Sequence, residues 1–283
     1  MLKLLRVLPS VALCAMLIAV TAPPAAASDP EPDPLYLALG DSVAFGFNPL
    51  LDFRNIANFV GYPEVLASRL DLDLTNASCP GETSAGFISL TGIDNGCRPY
   101  RALFPLHVSY TTSQLDFAVA FLLAHPNTSL VTIDIGANDL FVLERQCGQV
   151  TTCVANGLPA LLQHLAADLA TIYGRIRGQA HYHGQIIALT YYAMDYNNPL
   201  GVAITHAINE VITHATRAAD GQVANGFNAF RAIAEDRAGG SSCAAGLLIV
   251  TGTNPLTCDV HPSPFGRDVL AATVAALVHP RRT

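Results

Sequence analysis

Lysine is missing from this sequence after Lys3, and its 15 lysines and arginines are outnumbered by 22 aspartates and glutamates. Taking Lys3 and Arg6 from the 15 leaves 13 basic residues against 22 acidic, a formal charge of −9 for the remainder. A surface so poor in positive charge is unsuited to phosphate backbones, which excludes a nucleic-acid partner and electrostatic docking on anionic membranes. Long apolar runs are also missing beyond residue 20, so no later stretch is fit to cross a bilayer. The cysteines include no Cys-x-x-Cys spacing, which leaves little for a metal reading. There is no internal repeat and no low-complexity linker, so residues 28–283 read as one domain, long enough to bury a single core.

The N-terminus has a different character. Lys3 and Arg6 precede an apolar core from Val7 to Val20, and Ala25-Ala26-Ala27 then offers small residues before Ser28. Residues 1–27 read as a secretory signal peptide, too short and wrongly flanked for a membrane span. Cys14 is a poor lipidation site, because Leu13 before it is larger than such processing usually accepts. Six cysteines remain after the leader, an even number that favours disulfides in an oxidising compartment. They fall into three local pairs, giving the expected bridges Cys79–Cys97, Cys147–Cys153 and Cys243–Cys258.

One stretch organises the rest, Leu35-Tyr-Leu-Ala-Leu-Gly-Asp-Ser-Val-Ala-Phe-Gly46. Leu35 to Leu39 is near-continuously apolar, the pattern of a strand buried on both faces. It breaks at Gly40 and delivers the hydroxyl of Ser42 to the carboxyl edge of a sheet, where α/β folds build their sites. Taken alone, a Gly-Asp-Ser is commonly a helix cap or turn. Beyond it the spacing predicts a helix over 63–70, a strand over 72–75, a long irregular segment over 84–111, and a helix over 113–124. A strand at 130–135 runs into Gly136-Ala137-Asn138-Asp139. Further on come a helix at 158–176, a strand at 185–190, a helix at 200–219, a short strand at 227–230, a cysteine-closed loop at 243–258 and a helix at 266–278. Strands alternating with helices imply a parallel sheet with helices on both faces, a three-layer α/β/α sandwich.

Acyl transfer needs a nucleophile, a base and donors for a developing oxyanion. Ser42 supplies a hydroxyl, the Gly81 turn a backbone N–H that a ligand can approach, and Asn138 a short amide donor. His261 follows Asp259, which could orient its imidazole. Gly40-Asp41-Ser42, the Gly81 turn, Gly136-x-Asn138-Asp139 and Asp259-x-His261 resemble, in order, the four blocks of the SGNH (GDSL) hydrolase family. Asn76-Ala-Ser-Cys-Pro-Gly-Glu-Thr83 is similar to that segment in the family's secreted bacterial esterases and lipases. The resemblance implies a flavodoxin-like fold and a secreted serine esterase or lipase. Ser42 would be its nucleophile and His261 its base, with the Ser42 N–H, the Gly81 N–H and the Asn138 side chain forming the oxyanion hole. It also implies a monomer acting on a small-molecule or lipid ester, with no metal or organic cofactor and no stable membrane insertion.

Two departures stand out. Val43 occupies the place of the usual leucine in the first block. The family commonly places its acid three residues before the histidine, where this chain has Cys258, while Asp259 sits two before. Either Asp259 reaches the ring through a different turn, or a backbone carbonyl near Cys258 holds it and the site is a dyad. Other acids and histidines carry less. Asp41 and Asp139 are expected to make local bonds to turn backbone. The pairs His181 with His183 and His206 with His214 lack converging ligands for a metal. Tyr191-Tyr192, after a strand, either lines the cleft or packs. Competing readings of the same site are a carbohydrate deacetylase, a thioesterase, or a secreted binding protein that kept the fold without activity.

Overall fold

The apolar run around Leu37 is a fully buried strand, and the computed structural model builds the domain outward from it, describing residues 33–279. The expected signal peptide, residues 1–27, lies outside the described residues. Strand β1, Leu35–Gly40, pairs in parallel with β2, Asp73–Asn76, on one side and with β3, Leu130–Asp134, on the other. Two more parallel strands, β4 (Gln185–Leu189) and β5 (Gln222–Ala224), complete a sheet of order β2-β1-β3-β4-β5. That is the doubly wound order whose reversal between β1 and β3 opens a crevice at the carboxyl edge.

Helices cover the sheet in two groups. On one side, α2 (Tyr62–Leu70), α9 (Gly226–Ala238) and α10 (Pro264–Ala275) pack together. On the other lie α5 (Gln114–Ala124), α7 (Thr151–Gly174, continued by a π-turn at 175–179) and α8 (Pro199–Ala218). The apolar residues of β1, β3 and β4 are buried between the two groups, so both faces of the sheet are sealed, as a parallel sheet requires. This is the α/β sandwich expected from the alternation of strands and helices.

Several local expectations are corrected. Phe227–Phe230 is no strand. It opens α9, where Phe227, Phe230 and Ala234 are buried at helical spacing and the Asn225 side chain caps the first turn. The fifth strand precedes it, and the four residues Phe-Asn-Ala-Phe were too short a stretch to show their period. The segment 84–111 contains two short helices, α3 (Ser84–Ile88) and α4 (Cys97–Leu103), and α4 begins at the cysteine bridged to Cys79. The Cys243–Cys258 loop is largely an antiparallel hairpin of β6 (Leu248–Thr253) and β7 (Leu256–Pro262). Two further helices stand at the crevice: α1 (Ser42–Phe45) directly after β1, and α6 (Ala137–Gln146) directly after β3. All three cysteine pairs are joined as their spacing suggested, Cys79–Cys97, Cys147–Cys153 and Cys243–Cys258.

Candidate active site

Three loops leave the sheet side by side at its carboxyl edge. Pairing between β1 and β2 runs on past their ends, with the Cys79 N–H donating to the Gly40 carbonyl at 3.1 Å. Ser42 and Gly81 each lie two residues beyond that bond. On the other side Asp41 N–H donates to the Asp134 carbonyl at 3.1 Å, and Asn138 follows four residues after Asp134. Gly40 is needed here because its φ is +146° and a Cβ would sit 2.5 Å from the Asp134 carbonyl oxygen. Gly81, at φ +81°, makes the opposing turn, with a Cβ position 2.6 Å from the Asn95 carbonyl oxygen. Larger residues would force these loops apart.

His261 arrives from a different part of the fold. It sits near the end of β7, and the Tyr192 hydroxyl ties the hairpin down by donating to the Val260 carbonyl at 2.7 Å. Its Nε2 lies 2.8 Å from Ser42 Oγ. Its Nδ1 contacts Asp259 Oδ1, and the same oxygen accepts the His261 backbone N–H at 3.1 Å. The shorter spacing of the acid is thus accommodated by a tight turn in which one carboxylate oxygen faces both the backbone and the ring. Burial pushes the Asp259 carboxyl up, but hydrogen bonds and charge from His261 outweigh it and hold the group below the ordinary aspartate range. Phe47 packs edge-on against the His261 ring at 4.9 Å and joins it to a cluster containing Phe45, Phe53 and Phe59.

Of the proposed oxyanion donors, the Ser42 and Gly81 N–H groups have no protein acceptor among the described residues, whereas the neighbouring Val43, Ala44 and Glu82 N–H groups do. Ser42 lies in the first turn of α1, where helical N–H groups are left unpaired by geometry. Asn138, in the first turn of α6, donates one amide hydrogen to Asp41 Oδ2 at 3.2 Å and accepts from Asn95 Nδ2 at 2.8 Å. Its second amide hydrogen remains for a ligand.

Asp41 is more than a turn residue. Oδ1 accepts from Val43 N–H at 2.9 Å as expected, but Oδ2 takes the Asn138 amide and the Tyr191 hydroxyl, the latter at 2.7 Å. Tyr191 is clamped in turn by Asn209 of α8, which bonds both its N–H and its carbonyl. Beneath them lies Asp134, fully buried and bonded to the Tyr62 hydroxyl at 3.1 Å. Burial raises both carboxyls. Asp134 is pushed further by the charge of the neighbouring Asp41. Asp139 also departs from a local role, since its carboxyl receives the Ser84 N–H and hydroxyl, and the same hydroxyl is 2.7 Å from Asp168. Burial, offset by the Ser84 bonds and reinforced by Asp168, pushes Asp139 up to about 6.

Sequence reasoning missed Gln114. Its Oε1 accepts the Gly40 N–H at 2.6 Å and its Nε2 donates to the Gly40 carbonyl at 3.0 Å, so one amide brackets the glycine that turns toward Ser42. A glutamine amid the apolar residues of α5 was the available signal. The histidines set aside as metal ligands stay apart from this site, with His206 and His214 both facing Glu210 on α8. Among the described residues the one grouping with metal-ligand geometry is Cys79, Glu82 and Cys97, and its two sulfurs are bonded to each other.

Sequence comparison decides the family. Residues 38–269 match the GDSL-like Lipase/Acylhydrolase family. The chain belongs to that family. No curated protein matches the chain by sequence. Solved structures of similar fold include the extracellular lipase of Streptomyces rimosus, with 16% identity and TM-score 0.59, covering 86% of this chain and 99% of that one. Phospholipase A1 of Streptomyces albidoflavus is similar at 16% identity and TM-score 0.58, with 86% and 99% covered. The acetylxylan esterase Axe2 of Geobacillus stearothermophilus aligns at 15% identity and TM-score 0.55, with 88% and 95% covered. Membership makes this GDSL chain a hydrolase of the esterase and lipase kind.

Proposed function

We propose that this GDSL hydrolase is a secreted serine esterase or lipase in which Ser42 attacks the ester carbonyl and carries the acyl group. His261 Nε2 takes the Ser42 proton and returns it to the leaving alcohol. A water activated by the same nitrogen then releases the acid. Asp259 holds the ring by Nδ1 and stabilises the imidazolium. The Ser42 and Gly81 N–H groups and the free hydrogen of the Asn138 amide receive the oxyanion. The observation that carries this reading is the 2.8 Å contact of His261 Nε2 with Ser42 Oγ at the edge of an open cavity. Secretion is part of the proposal, supported by the leader-like composition of residues 1–27, three disulfides and the likeness to an extracellular lipase.

Activated esters and a serine-directed phosphonate test the reading together. Hydrolysis should disappear in Ser42→Ala while circular dichroism and melting temperature stay unchanged, and the phosphonate should label Ser42. Inertness toward both reagents in the folded wild type would instead support a binding protein that kept the fold.

A further inference from the structure

The cavity beside Ser42 has a direction, set by the two helices that wall it. On α6, Ala137 and Asn138 stand at the catalytic end, Phe141 follows, and Glu144 lines the far end. Six residues separate Asn138 from Glu144, about 9 Å at ~1.5 Å per residue. On α8 the catalytic end is Ile208, whose Cγ2 lies 3.7 Å from the Cβ position of Gly136, and the next residue, Asn209, clamps Tyr191. Seven residues back along α8 is Gly201, about 10 Å away by the same rise. Between these ends the walls are Leu140, Phe141, Ile204 and Ile208, with Met194 beside them. Polar side chains collect at the outer end, where Glu144, Asp195 and Asn198 line the cavity.

The cavity holds about 260 Å³, more room than an acetyl group needs. An extended chain advances roughly 1.2 Å per bond, so the 9–10 Å between the catalytic end and Glu144 or Gly201 spans about seven or eight bonds. An acetyl group would leave most of the apolar wall without a partner. A sixteen-carbon chain would run past Gly201 into solvent.

Building on the ester-hydrolase reading above, we infer that the site selects esters of neutral, straight-chain acyl groups of about six to ten carbons. Leu140, Phe141, Ile204 and Ile208 hold the chain, and Gly201 leaves room for its end. Glu144 and Asp195 disfavour acyl chains that end in a carboxylate, because a second negative charge there would stand beside like charge.

A series of p-nitrophenyl esters from acetyl to hexadecanoyl tests this, with active sites counted by phosphonate titration. kcat/KM should rise by up to roughly fourfold per methylene as the cavity fills. It should peak near octanoyl and fall for hexadecanoyl. The monoester of suberic acid should be at least tenfold poorer than octanoyl. Gly201→Phe fills the cavity from the first turns of α8 and should lower the octanoyl-to-acetyl ratio on the order of tenfold or more. Because the ratio is read within one preparation, partial loss of folded enzyme cancels. Ile204→Ala removes part of the wall that holds the chain and should lower the octanoyl-to-acetyl ratio, by roughly two- to tenfold. A maximum at acetyl, a flat series, or ratios unmoved in both variants would overturn the selectivity while leaving the esterase reading intact. Failure to hydrolyse any ester or to take the phosphonate would overturn both.

Discussion

Asp259 departs from the usual spacing, and its substitution by asparagine is the most informative single change. Its Oδ1 accepts the His261 backbone N–H as well as facing ring Nδ1. In Asp259→Asn the amide oxygen can keep both partners, since the backbone N–H demands an acceptor at that position and an NH₂ group there would meet a donor. The imidazole tautomer is therefore preserved and the change is a loss of charge. A hydrogen bond to a charged partner contributes about 1.5–3 kcal/mol and a neutral one about 1 kcal/mol, so the difference is about 0.5–2 kcal/mol. That converts to a fall in kcat of roughly two- to thirtyfold. The Asp259 side chain is 26% exposed, and solvent screening favours the lower part of that range. Asp259→Ala removes the bond outright and should cost roughly 10- to 150-fold. The assay is kcat on a saturating activated ester for both variants, normalised to phosphonate-titrated sites. A loss near 10⁴ in Asp259→Asn, the mark of a wrong tautomer in the serine-protease triad, would refute the pinned-oxygen argument. Near-wild-type kcat in both variants would falsify the orienting role itself and leave a Ser42–His261 dyad.

Other outcomes follow from the same geometry. Asn138→Ala should lower kcat on the order of 10²–10³-fold with little change in KM, and a loss below tenfold would remove Asn138 from the oxyanion site. Tyr191→Phe deletes the hydroxyl that shares Asp41 Oδ2 with the Asn138 amide, so kcat should fall roughly three- to tenfold while the melting temperature moves little. An unchanged kcat would make Tyr191 a packing residue. Cys243→Ser with Cys258→Ser opens a 15-residue loop behind His261 and should cost about 3 kcal/mol in denaturant unfolding. An unchanged unfolding midpoint would show that the hairpin is held by other contacts. Stability should also depend on Glu82, whose carboxyl is pushed up to about 8 by burial and by Asp94, against the pull of Gln114, Arg101 and Arg98. A carboxyl raised in the folded state binds more protons there than when unfolded, so its contribution is complete below about 4.5 and is lost as pH rises toward 8. Glu82→Gln should flatten that decline between pH 5 and 8 in thermal melts, and an identical slope in both proteins would contradict it.

What the sequence determined by itself was local in kind. The apolar run before Gly40 had the pattern of a doubly buried strand, and its break at Gly40, ahead of Asp41 and Ser42, announced the edge of a parallel sheet. The cysteines paired with near neighbours because short loops are the easiest to close. Where a period was long enough to count, as at 200–219, the helix could be read; across Phe227–Phe230 it could not, and α9 was mistaken for a strand. Tertiary structure decided which polar groups meet. Asp41 and Tyr191 are 150 residues apart, and Gln114 reaches Gly40 across 74. Nothing in the spacing of such residues encodes contacts that exist only once the β1–β3 register has formed. The contacts of Asp259 arise by the same means as the cavity. The turn at Asp259 depends on backbone dihedrals held by the hairpin, and the length of the acyl space depends on where α6 and α8 lie, two quantities fixed by packing and carried by no single segment of the chain.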